Sequence, residues 1–167
     1  MKLELLIAWG VKQFITLGIA GGLQKNLLIG DIIVCEKAIR DEGTSHHYLP
    51  YDKYAYPSKN MLSRFLNALD QSNKRYHKGT SWTTDTFFRQ TKEEVELYQK
   101  EGVLCVEMEA SALFSIASLY NVEMAAIFTI SDTHANLEWQ PSFGEEKTKT
   151  GLATIFELAL KVAIEEN

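Results

Sequence analysis

Three stretches of this 167-residue chain carry residue types and spacings that could do chemistry. The first is Ile127-Phe128-Thr129-Ile130-Ser131-Asp132, an apolar run ending in a carboxylate. An Asp directly after a buried strand stands where open α/β sheets take ligands, and there it could protonate a leaving base. The same Asp could instead cap the following turn. The second stretch is Val106-Glu107-Met108-Glu109-Ala110-Ser111-Ala112-Leu113. Residues two apart do not share a helical face, so at most one of Glu107 and Glu109 points into the fold with the apolar side. A carboxylate there could accept bonds from two neighbouring sugar hydroxyls, or could simply answer the positive end of a helix dipole. The third is Thr84-Asp85-Thr86-Phe87-Phe88-Arg89, whose two aromatics could stack on a base or plug the core edge.

A fourth feature is Gly18-Ile19-Ala20-Gly21-Gly22-Leu23. Glycines after a strand let a ligand or a second backbone come close, or make a tight turn between strands. No helix follows directly, so this is no dinucleotide fingerprint, and no Gly-Lys-Ser/Thr ending makes it a P-loop.

The elements that must position these groups alternate between strand and helix. Leu3 to Trp9 reads as the end of a helix stopped at Gly10, and Val11 to Leu17 as a strand. Ile29 to Val34 is a second strand, followed by a turn-rich loop over residues 39–57. Ser58 is placed to cap a helix through Leu69. Tyr76 to Trp82 reads as a weaker strand, Lys92 to Lys100 as a short helix, and Val103 to Val106 as a strand. Glu109 to Tyr120 is an Ala- and Ser-rich buried helix, Met124 to Ile130 a strong strand, and Gly151 to Ala163 belongs to a closing helix. The pattern predicts one α/β domain over residues 1–167 with a central sheet.

Bulk composition narrows the classes. A net charge of −5 without a basic stripe argues against a nucleic-acid surface. No apolar run reaches a membrane span of about 20 residues, and the N-terminus does not read as a signal peptide. Cys35 and Cys105 both sit in apolar runs, which points to unpaired thiols and a cytoplasmic location. His46, His47, His77 and His134 do not make metal spacing.

Taken together, GIAGGLQ, LIGDIIVCEKAIRDEGTSHHYLP, TTDTFFR, VEMEASALFSIA and FTISD occur in the order of the purine nucleoside and uridine phosphorylase family, which the chain resembles over essentially its whole length. The resemblance implies a three-layer α/β fold with a mixed, twisted sheet. It implies a nucleoside substrate, phosphate as co-substrate, no cofactor, no metal and a homo-oligomer, either a dimer or a trimer of dimers. Met108 and Glu109, with Glu107, would hold the ribose, and Phe87 would pack on base or sugar. Asp132 would bond and protonate the base, with Lys147 as its basic partner. Asp132 favours a purine, whereas RDEGTSHHYLP looks more like uridine-specific members.

The resemblance also implies departures. The family's first strands precede the point that aligns with Met1, together with a phosphate-binding glycine turn. Their loss is expected to leave a sheet edge exposed. Thr16 stands where the family has a phosphate-gripping Arg, and Ile19 where it has a hydroxyl residue. A Thr cannot make the bidentate, charge-assisted contacts of Arg. Two functions therefore follow as expectations: cleavage of a nucleoside's N-glycosidic bond with transfer to phosphate, or a truncated relative that binds or oligomerises without turnover.

Overall fold

A computed structural model describes residues 2–164. Its strands are β1 (Gln13–Gly22), β2 (Ile32–Asp41), β3 (Tyr54–Ala55), β4 (Tyr76–Thr84), β5 (Cys105–Glu107), β6 (Glu123–Thr133) and β7 (Gln140–Pro141). Its helices are α1 (Lys2–Ala8), α2 (Lys59–Ser72), α3 (Lys92–Lys100), α4 (Ala110–Leu119) and α5 (Glu146–Ile164). All seven described strands form one sheet, in the order β3-β2-β4-β5-β1-β6-β7. It is mixed: β1 runs parallel to β6, and β2, β4 and β5 run parallel to one another, but β1 and β5 are antiparallel.

β2 also pairs antiparallel with β6, through Ile32 to Val34. This closes β2, β4, β5, β1 and β6 into a ring. The ring is not fully zipped: β1 meets β5 only at Gly21 and Gly22, so among the described strands Gln13 to Ala20 pair with β6 alone and carry the expected exposed edge. The outer strands β3 and β7 are two residues each.

The pleat explains why Met124 to Phe128 of β6 reads as a continuous apolar run. Met124, Ala126, Phe128 and Ile130 pack on one face with Ala110, Phe114 and Ala117 of α4. Ala125 and Ile127 pack on the other with α2 and α5, through Phe65, Leu69, Ile155 and Val162. Helices on both faces make three layers, and a strand covered on both sides needs no polar alternation. Gly151 in α5 permits this closeness, because an added Cβ would collide with Thr129 Oγ1 of β6.

Two stretches differ from their sequence reading. The residues expected as a loop after position 39 are partly strand: β2 continues through Asp41, and Tyr54–Ala55 pairs back onto it. The turn between them is organised by two buried charges. Arg40 donates to Ser45 Oγ and to the carbonyls of Ser45, Leu49 and Pro50. Glu42 accepts from the Thr44 and Ser45 amides and from Ser111 Oγ of α4. Side chains thus replace the backbone partners that regular structure would supply, and no hydrophobic period reveals them.

The second is the glycine cluster, which makes no turn. β1 runs through Gly21 and Gly22, paired to β6 on one side and β5 on the other.

Burial alone would push the Glu42 carboxyl up, but the bonds from Ser45, Ser111 and Thr44 outweigh it and hold it below its ordinary 4.5. A lowered folded value gives stability that is full above 4.5 and is lost as pH falls through it. Glu42→Gln is expected to melt lower than wild type near neutral pH, with the gap narrowing once the pH drops below 4.5. Melting temperature against pH for both proteins checks this; a gap that widens in acid would contradict it.

Candidate active site

The ends of β1, β5 and β6 meet in one cavity of about 270 Å³. The polar end belongs to Asp132. β6 carries a bulge there: Ala20 faces Ile130, but Gly21 faces Asp132, leaving Ser131 as the extra residue. A bulge re-aims the side chain that follows it. The Asp132 carboxylate therefore lies across β1 at Gly21. A Cβ on Gly21 would sit 2.9 Å from Asp132 Oδ2 and 3.1 Å from Val106 Cγ1, so only glycine leaves room.

Both oxygens of Asp132 have donors. Ser131 Oγ donates to Oδ1 at 2.7 Å, and the Trp139 indole Nε1 donates to Oδ2 at 2.9 Å. His134 Nε2 lies 3.8 Å from Oδ2. Burial lowers the His134 imidazole from its ordinary 6.5, against the pull of Asp132. Asp132 does not cap the turn after β6; Thr133 Oγ1 does, accepting the Ala135 amide at 3.1 Å.

The other end is built at the start of α4, where the helix's first amides need acceptors. Glu107 is 4% exposed and takes two of them, Glu109 N at 2.9 Å and Ala110 N at 2.7 Å. It also accepts from the hydroxyls of Ser81 and Thr83. Thr83 Oγ1 accepts a further helix amide, that of Ser111. With these donors answered, Glu109 stands at the N-cap position without capping, its carboxylate exposed and facing the cavity. The resemblance places Glu107 beside the ribose. It lines the cavity, yet its oxygens are engaged by the protein, so it holds the loop that presents Glu109. Burial raises the Glu107 carboxyl, and the bonds from Thr83, Ala110, Glu109 and Ser81 oppose it.

The same cavity has an aromatic wall. Phe87 meets Trp139 edge-on at 5.8 Å and Phe143 at 6.4 Å, and Trp139 lies 6.0 Å from Phe143. Phe88, expected as the second stacking aromatic, packs edge-on against Phe87 at 4.8 Å and is 87% exposed.

The cavity thus gathers Ile19, Phe87, Glu107, Met108, Glu109 and Asp132. Two residues named from the sequence stay outside it. Thr16 lies further back in β1, opposite Ala126. Lys147 is in the first turn of α5, its carbonyl against Gly30, and lines a different cleft with Asp31 and Arg75. It is not the partner of Asp132; that place is taken by Trp139. His134, Trp139, Phe143 and Gln90 line the site although no sequence motif marks them for it, and Ser131 lines it from within the FTISD motif. Trp139 alone leaves a trace, as a lone Trp in the polar stretch HANLEWQPSFG.

The two cysteines are no nucleophiles. Burial pushes the Cys35 thiol up to about 12 and raises Cys105 well above its ordinary value. Among the described residues no helix is long and apolar enough to cross a membrane.

This arrangement matches known proteins along its length. Residues 1–162 match the model of the phosphorylase superfamily. A DeoD-type purine nucleoside phosphorylase of Bacillus cereus is 30% identical over 165 residues, covering 98% of this chain and 68% of the relative. The corresponding protein of Bacillus thuringiensis (strain Al Hakam) gives the same identity and coverage. Among solved structures, uridine phosphorylase from Vibrio fischeri ES114 superposes with a TM-score of 0.84 at 25% identity, over 96% of this chain and 67% of that one. The P. knowlesi homologue of P. falciparum PNP does so with a TM-score of 0.81 at 25% identity, over 97% and 66%. The chain spans about two-thirds of the length of these relatives, and it belongs to the phosphorylase superfamily.

Proposed function

We propose that the cavity binds a purine nucleoside and breaks its N-glycosidic bond, passing the pentosyl group to phosphate. The observation that carries this reading is that Asp132 and Glu109 line one aromatic-walled cavity. Glu109 accepts from the ribose hydroxyls, Met108 packs on the sugar, and the Phe87 wall stacks on the base. As the C1′–N9 bond breaks, its electron pair moves into the base. Asp132 shares a proton with the ring nitrogen N7 and so neutralises the leaving base. The sugar becomes oxocarbenium-like, and the Glu109 carboxylate favours that positive charge. A phosphate oxygen then bonds to C1′. A pyrimidine has no imidazole nitrogen for Asp132, which supports a purine, as does the similarity to purine nucleoside phosphorylases.

One observation favours a second reading, nucleoside binding without turnover. Among the described residues the cavity lining has no Lys or Arg, and Ile19 offers only an apolar side chain. Incubation with inosine, adenosine or uridine, with and without phosphate, separates the two. Phosphate-dependent release of hypoxanthine and adenine is expected, with far less uracil. Binding with no free base from any nucleoside would leave the second reading.

The chain is further read as a single cytoplasmic domain that self-associates as a dimer or trimer of dimers. Its one sheet, its buried unpaired thiols and the exposed Leu5, Leu6 and Trp9 of the N-terminal segment support this.

A further inference from the structure

The β6–β7 hairpin explains how a Trp comes to face Asp132. Asp132 pairs with Pro141 and Thr133 with Gln140, so the chain returns over the carboxylate it has just left. The connection is pinned in two ways. Leu137 adopts a left-handed backbone with φ of 62°, donates its amide to His134 O at 2.8 Å, and packs on the cluster of Leu23 and Trp82. Gln99 of α3 donates to the carbonyls of His134 and Ala135. Trp139, the residue before β7, is therefore delivered by a fixed loop rather than by a free surface strand.

An indole has one N–H donor and no acceptor, so it can do only one thing at a carboxylate oxygen. The Nε1 donor at 2.9 Å takes one lone pair of Oδ2, while Ser131 engages Oδ1. Two donors on two oxygens fix the plane of the carboxylate. Each oxygen still has a lone pair, and a proton carried on one of them is what N7 can accept. The donor is neutral, whereas a Lys or Arg in the same place would also offset the charge. The only basic residue expected there, Lys147, lies in another cleft.

We infer that Trp139 is a positioning residue for base recognition: its indole N–H orients Asp132 toward the purine ring nitrogen. This rests on the proposed nucleoside site, and recognition of N7 then depends on a side chain that never touches that atom.

The test uses calorimetric binding of inosine and of 7-deazainosine, in which a C–H replaces that ring nitrogen. It works whether or not the chain turns over. Wild type is expected to bind inosine roughly tenfold more tightly, the worth of one hydrogen bond donated by the protonated Asp132 carboxyl to N7. Trp139→Phe keeps a ring in the wall but removes the N–H. It is expected to bring the ratio close to one while 7-deazainosine affinity changes by no more than about threefold, the ring contacts being kept. A variant that keeps the tenfold ratio, or weakens both ligands equally, overturns the inference and leaves the nucleoside site standing. Wild type that binds both ligands equally removes Asp132 from N7, and the inference with it. Wild type that binds neither ligand overturns the proposed site itself. Thermal melts of both proteins confirm that the variant is folded.

Discussion

Asp132→Asn is expected to lower the rate of purine nucleoside cleavage by about 10²- to 10⁴-fold, the range for loss of a positioned general acid. An amide cannot hand a proton to the leaving base, yet it has the size of the carboxylate. The fold should tolerate it. Asn can still accept from one of Ser131 Oγ and Trp139 Nε1, which flank the side chain at 2.7 and 2.9 Å. One lost or reversed bond at this depth costs about 1–2 kcal/mol, so a moderate fall in melting temperature accompanies the large loss of rate. Steady-state rates with inosine, taken beside a thermal melt, separate the two effects. A rate within threefold of wild type would exclude Asp132 as the acid. A collapsed melt would instead show that its role is structural.

Glu107 and Glu109 should give opposite results. Glu107→Ala removes the acceptor of four donors: the hydroxyls of Ser81 and Thr83 and the amides of Glu109 and Ala110. Hydroxyls can turn to new partners, but the two amides at the start of α4 cannot, and a residue 4% exposed leaves little access for water. The expected destabilisation is about 2–4 kcal/mol, part of the gross loss being offset because a charge no longer has to be buried. Glu109→Ala touches no internal bond. Its stability should stay within about 0.5 kcal/mol of wild type, as for other exposed sites, while nucleoside affinity falls by about tenfold or more. Denaturant melts and calorimetry on both variants check the contrast. If Glu109→Ala unfolds and Glu107→Ala loses only affinity, the assignment of carrier and ligand is reversed.

That contrast marks how far the sequence can be read. VEMEASALF announces two carboxylates before a buried helix, and the rule that neighbours two apart cannot share a face predicts different fates for them. Which is buried depends on Ser81 and Thr83 of β4, more than twenty residues away, and no local pattern reports it. β6 is legible because a strand covered on both faces is mostly apolar, and Met124 to Ile130 is so but for Thr129. Its last residues are less so. The bulge at Ser131 depends on register against β1, and it alone aims Asp132 across Gly21. The glycines therefore read as a possible turn, when what they do is leave space inside a strand.

Lys147 and Trp139 show the limit most plainly. Lys147 is the basic residue that the family resemblance offers to Asp132. The α5 register carries it to Gly30, and the β6–β7 hairpin brings an aromatic donor in its place. Likewise Arg40 and Glu42 hold the turn after β2 with bonds that no propensity encodes. Element register and side-chain hydrogen bonds, not periodicity, decide these.

The most direct measurement is a crystal structure of the chain with inosine. The expected result has the ribose hydroxyls on the Glu109 carboxylate and the base against Phe87. N7 lies within hydrogen-bond distance of Asp132, with the Trp139 indole still bonded to Oδ2. Inosine seated elsewhere, or in this cavity with its sugar toward Asp132 and its base toward Glu109, would contradict it.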